Sequence, residues 1–184
     1  MTPMAAALKT TSASSPSSPP RAAAVVRAFT TTPSGGYQHP VLAAASALAT
    51  ANRTRAQVHR VLGDPDADAH AITAAIRAQQ RGDAACAALI DRIDRWGAVE
   101  LPQRRTGVLH TESLGQLIER LVIVWMRGQL LAEDRHEPAD PQVRLAARQL
   151  GELARAYDDL VTDLLLGRRQ LPVFQTSAGP DGMA

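Results

Sequence analysis

The sequence predicts an all-α fold: an antiparallel bundle of about four long helices behind a disordered N-terminal tail. Three observations carry this. Apolar residues recur at spacings of three and four over long stretches. Segment boundaries carry helix punctuation: Pro40, Asp64-Pro65, Ser113 with Gln116, and Asp140-Pro141 mark starts, and Gly63 and Gly167 mark stops. Aromatic residues make up only 3% of the 184, so the core must be built from Ala, Leu, Val and Ile, small side chains that suit closely packed helices.

Residues 1–38 are read as the tail. They are Ala, Ser, Thr, Pro and Gly with little to bury, as in Ser14-Ser15-Pro16-Ser17-Ser18-Pro19-Pro20. No acidic residue precedes Asp64, while Lys9, Arg21 and Arg27 are scattered through the segment. That composition resembles an organellar transit peptide. A disordered tail or a misplaced start is the preferred reading. A secretory signal fits poorly, because Arg27 breaks the apolar run from Ala22 to Phe29.

The bundle domain is placed at 39–170, with a C-terminal tail at 171–184. The first helix runs from Pro40, whose fixed φ and missing N–H suit the first helical position, to Leu62. Its apolar stripe is Leu48, Ala51, Val58 and Leu62. Asn52, Arg55 and His59 share a bordering face, which either lines a cleft or is the polar shoulder of an amphipathic helix. The second helix is expected from Pro65 to about Trp96, with a stripe of Ala69, Ile72, Ile76, Gln79, Asp83, Cys86, Ile90 and Ile93. Gln79 and Asp83 interrupt that seam beside Gly82, and a mid-helix glycine costs about 1 kcal/mol against Ala. Either the helix breaks there or the gap lines a polar site. Asp91 and Arg95 are spaced as an i,i+4 surface pair.

A long connection, 97–112, delivers His110 and Glu112 to the next helix. That helix's N-terminus, with free N–H groups and a partial positive charge, is an expected anion site to which Arg104 and Arg105 can contribute. The stretch His110–Leu131 is the most apolar run in the chain. Ser113 and Gln116 form a capping box. Leu114, Ile118, Leu121, Trp125 and Gly128 then repeat at four and three, with Val122, Ile123 and Met126 covering most of the remaining circumference. A helix apolar nearly all round is a buried one. Glu119 and Arg120 interrupt it, which argues against a membrane span. Two charges there need partners or water, so they mark either a solvated bundle edge or a polar pocket between helices. The last helix runs from Pro141 to Leu166, with Val143, Ala146, Leu150, Leu153, Tyr157, Leu160 and Leu164 inward and the pairs Arg148–Glu152 and Arg155–Asp159 outward.

The chemistry classes thin out quickly. The formal net charge of +2 is too small to argue for nucleic acid. The one cysteine, Cys86, excludes an internal disulfide, suits a reducing, cytoplasmic setting, and falls on an apolar stripe where packing is its default role. No phosphate loop, G-x-S-x-G or C-x-x-C occurs. A di-iron bundle needs two Glu-x-x-His pairs, and only Glu133–His136 is present, so neither a metal nor a cofactor is expected.

Two segments resemble an uncharacterised bacterial helical family, the domain-of-unknown-function family 4254. Its T-E-T-P-G-x-x-I-D-R-L-S-I-type segment is similar to T-E-S-L-G-Q-L-I-E-R-L-V-I from Thr111 to Ile123. Its I-E-x-I-D helix end is similar to Ile90-Asp91-Arg92-Ile93-Asp94. Of its opening H-x-x-N and W-x-x-E-D only Asn52 survives, with Ala49 in the His place and His59-Arg60 near the acidic pair. The resemblance spans roughly 40–170 and implies an all-helical domain of unestablished activity. It carries over Asn52, Glu112, Glu119 and Arg120 as shared polar positions.

These readings converge on a helical bundle that binds a small molecule or protein partner through a polar inter-helix pocket. The candidate binding residues are Asn52, Gln79, Asp83, Arg120 and His110. One alternative is a metal-independent enzyme acting on a small anionic metabolite, with Glu119 or Glu112 as general acid or base. Another is a structural or homo-oligomeric module. No nucleic acid or membrane partner is expected.

Overall fold

The computed structural model describes residues 18–30, 37–102, 107–135 and 140–172. They form helices α1 (Ala22–Thr30), α2 (Pro40–Leu62), α3 (Ala69–Glu100), α4 (Leu114–Arg135) and α5 (Pro141–Leu165). Two-residue strands β1 (Val108–Leu109) and β2 (Arg169–Gln170) pair in parallel. Short connections fold α2 against α3 and α4 against α5, and α4 touches all four other helices. Leu114, Ile118, Leu121 and Val122 of α4 are fully buried, whereas Ile123, expected to help close an apolar circumference, is exposed. Among the described residues no helix is long and apolar enough to cross a membrane.

The punctuation works as read at most ends. His39 caps α2, its Nδ1 accepting from Val41 N at 3.2 Å while Nε2 donates to Ser18 O at 2.9 Å. The α4 capping box closes both ways: Ser113 N donates to Gln116 Oε1 at 2.8 Å and Gln116 N to Ser113 Oγ at 3.2 Å. Asp140 caps α5, and Gly167 ends it with φ 70°, a left-handed conformation that glycine adopts without cost.

Two expectations are corrected and one open alternative is decided. α3 starts at Ala69, not Pro65: Asp68 accepts from Ala71 N at 2.7 Å and takes the cap. α3 is also continuous through Gly82 to Glu100, so the helix does not break there. The tail ends earlier than 38. Residues before 18 lie outside the described chain, but α1 buries Val25, Ala28 and Phe29 completely. Tyr157 Oη donates to Pro20 O at 3.1 Å, Ala22 N donates to Asp158 Oδ1 at 2.8 Å, and Arg53 Nη1 donates to Phe29 O at 3.2 Å. Composition hid this helix because its four buried residues are mostly small. Smaller departures are that Ile72 and Ile76 are exposed while Ala75 faces inward, and that Arg95 Nε donates to the Asp91 carbonyl instead of pairing with its carboxylate. Leu171 of the expected C-terminal tail packs against the core, whereas Val173 and Phe174 lie outside the described residues.

Candidate functional site

The site grows from one face of α2. Asn52, Arg55, Ala56 and His59 stand at i, i+3, i+4 and i+7, so they project on one side. On α4, Ile123, Met126, Arg127, Leu130, Leu131 and Asp134 do the same. The two faces diverge and enclose a cleft of about 390 Å³ lined by these ten residues. The cleft leaves Ile123 51% exposed.

Arg55 is the hub at its floor. Nε lies 2.9 Å from Asp83 Oδ1, at ion-pair distance, yet this buried N–H makes no hydrogen bond. Nη1 donates to Asn52 Oδ1 at 3.3 Å, Cys86 Sγ at 3.8 Å and Glu119 Oε1 at 3.5 Å. Asn52, 6% exposed, donates from Nδ2 to Leu48 O at 3.0 Å and to Cys86 Sγ at 3.7 Å. The Nη1 contacts lie at or beyond the long end of the hydrogen-bond range, whereas Nε stands close to Asp83. The charges stand partly in water, where such pairs contribute about 0–1 kcal/mol. Burial pushes the Cys86 thiol up from its ordinary value, while the Arg55 hydrogen bond and positive charge work in the opposite direction. The thiol is kept as a neutral acceptor for Asn52 and Arg55.

Gly82 explains how Arg55 reaches α3. A Cβ there would stand 3.0 Å from Arg55 Cγ and 3.6 Å from Cδ. The glycine leaves a notch across which the arginine stem passes to Asp83. Of the two readings of the polar gap, the notch fits the polar site.

The predicted residues separate into two groups. Asn52, Asp83 and Glu119 meet around Arg55. Glu112 pairs with Arg120 near the N-terminal end of α4, and His110 Nδ1 accepts from Glu112 N at 3.2 Å; none of these three lines the cleft, and of the first group only Asn52 does, with Asp83 and Glu119 standing behind Arg55. Gln79 is half-buried one turn from Asp83 and makes no hydrogen bond with the cluster. Sequence spacing places Arg55 on a face that could line a cleft but does not put it among the candidate binding residues, and it reads Cys86 as core packing. The available signal was Arg55 three residues from Asn52 on one helix and a glycine opposite it on the next.

The anion expected at the α4 N-terminus is supplied by the chain itself. Asp94 Oδ1 accepts from Gly115 N at 2.7 Å. Burial raises the Asp94 carboxyl above its ordinary value, opposed by hydrogen bonds from the Ser113 hydroxyl and Gly115 N–H. Arg104 and Arg105 lie outside the described residues. No group of three or more His, Cys, Asp or Glu side chains able to hold a metal ion occurs among the described residues.

Fold and site together define an all-α bundle with an ion cluster opening into an apolar cleft. The family model described as protein of unknown function (DUF4254) matches residues 43–173, and the chain belongs to that family. No curated protein and no solved structure matches it. The match takes in α2 to α5 and leaves α1 outside. The two segments that carry the resemblance touch each other, since Asp94 of one receives the Gly115 N–H of the other.

Proposed function

We propose that this chain binds a small molecule in the cleft between α2 and α4, with the Arg55 cluster as its polar floor. One observation carries the reading: about 390 Å³ of largely apolar cleft opens onto an arginine whose Nη1 contacts inside the protein are long. Pockets of this size lined by apolar side chains with a few convergent polar groups are the usual form of small-molecule sites. Arg55 Nη2 makes no hydrogen bond among the described residues, which leaves a donor for a ligand oxygen.

Native mass spectrometry of the purified chain, before and after incubation with a metabolite extract, tests this against Ile123→Trp. That substitution fills the cleft from an exposed position and spares the core. The wild type is expected to carry a small-molecule adduct that the variant loses. Equal adduct profiles in both proteins would end the reading.

A metal-independent enzyme is the second reading, favoured by Glu119, whose side chain is 22% exposed beside Arg55. It requires that Glu119→Gln abolish turnover of the identified ligand while leaving its affinity within a few-fold. Unchanged turnover would remove Glu119 from the chemistry.

A further inference from the structure

The charges around the cleft differ in how they are balanced, and that difference defines the ligand. Arg55 faces two carboxylates, Asp83 and Glu119. Its positive charge is more than offset, so it offers a hydrogen-bond donor without net attraction for an anion. Arg127 is the other arginine of the cleft, and it has no ion pair or hydrogen bond among the described residues. Asp134, the acid of the same wall, is seven residues along α4. At 1.5 Å rise per residue that is about 10 Å away, near the distance at which salt screens exposed charges. No ion pair joins Asp134 to Arg127, and Asp134 has an interaction of its own. His59, exposed on the facing wall, adds an imidazole at the rim. Ile123, Met126, Leu130 and Leu131 sit on the same α4 face as Arg127, within one turn of it.

We infer that the cleft takes an amphipathic organic acid: one carboxylate at Arg127, and an apolar body laid along Ile123, Met126 and Leu130. The inference rests on the small-molecule reading of this cleft and narrows it to a charge and a polarity. Arg127 is the specificity-determining residue. Arg55, although more central, is not the anchor of the anion, because Asp83 and Glu119 already occupy its field. The apolar body supplies most of the affinity through burial of its methylenes, and the arginine sets which head group is accepted.

The test is calorimetric titration of the full chain with octanoate, octanol and octylamine, three probes that share a tail and differ in head-group charge, with the wild type, Arg127→Gln and Ile123→Trp compared. Octanoate is expected to bind the wild type at least tenfold more tightly than octanol, and octylamine more weakly than either. In Arg127→Gln the octanoate preference falls to about unity while octanol affinity stays within twofold. Arg127 is solvent-exposed, so loss of fold does not enter, and raised salt is expected to reduce the preference in the wild type alone. If octanol or octylamine binds the wild type as tightly as octanoate, and Ile123→Trp abolishes that binding, the charge assignment is overturned and the cleft reading stands. If Ile123→Trp leaves octanoate binding intact, or no probe binds saturably, both fall together.

Discussion

At the scale of single residues, a glycine and an arginine on different helices are fitted to one another. Gly82→Ala gains helix propensity of about 1 kcal/mol and puts a methyl group against the Arg55 stem. The two effects oppose, so the variant is expected to stay within about 1 kcal/mol of the wild type in urea unfolding. Its ligand binding in the cleft should nevertheless fall, because the guanidinium is pushed away from Asp83. A variant that binds as well as the wild type would show that the notch has no part in the site. Cys86 adds a pH dependence. Its thiol is raised in the folded protein by burial, so the folded state holds the proton over a pH range where the unfolded chain releases it. Folding is thus unpenalised below the unfolded thiol's value, about 8.5, and loses stability as pH climbs through that value toward the folded one. Unfolding compared at pH 7 and pH 10 is expected to show a larger loss for the wild type than for Cys86→Ala. Parallel losses would mean that the buried thiol contributes nothing to the slope.

At the scale of elements, helix ends are satisfied from other helices. Asp158 of α5 caps α1, and Asp94 of α3 caps α4. The second joint is tight: a Cβ at Gly115 would stand 2.7 Å from Ile90 O and 3.0 Å from its Cα. Backbone cannot give way as a side chain can, so Gly115→Ala must part α3 from α4. A cost of about 1–3 kcal/mol in thermal or urea unfolding is expected. Gly151, with nothing within 4 Å of an added Cβ, is the control, and Gly151→Ala should stabilise by about 0.5–1 kcal/mol. If both variants moved in the same direction, helix propensity alone would account for them. Asp94 separates charge from capping. Its raised carboxyl means that ionisation costs folding free energy, which is absent below the unfolded value and grows as pH rises through the folded one. Asp94→Asn keeps an oxygen for Gly115 N–H and sheds the charge. At pH 7 it should be at least as stable as the wild type, whereas Asp94→Ala should lose about 1 kcal/mol. Equal destabilisation by both would contradict this account.

For the whole molecule, the unexpected feature is that α1 completes the core. Phe29 is fully buried and packs against Trp125 with ring centroids 5.6 Å apart and planes tilted by 54°, while Arg53 lies over the Trp125 ring at 5.9 Å. The family match begins at residue 43, so part of this core is built from sequence outside it. Phe29→Ala is expected to cost about 3–5 kcal/mol. A chain shortened to begin at Tyr37 should show red-shifted tryptophan fluorescence and a lower melting temperature. Unchanged emission and stability would mean that α1 does not dock in solution.

What the sequence alone determined is local. Helix starts at Pro40, Ser113 and Pro141, the stop at Leu62 and the buried character of α4 follow from capping groups and from apolar spacing along one helix. These are properties of residues within a few positions of each other. The polar gap at Gln79 and Asp83 and the face holding Asn52, Arg55 and His59 were legible as two separate features. Only the packing of α2 on α3 and α4 joined them, since the distance from Arg55 to Asp83 or Glu119 depends on which helices are neighbours and in what register. The same holds for Gly82 and Gly115, whose empty volumes have meaning only against a side chain or backbone from another helix. It holds also for α1: nine residues cannot sustain a helix by propensity in water, and this one exists because α2, α4 and α5 together present a surface that buries Val25 and Phe29.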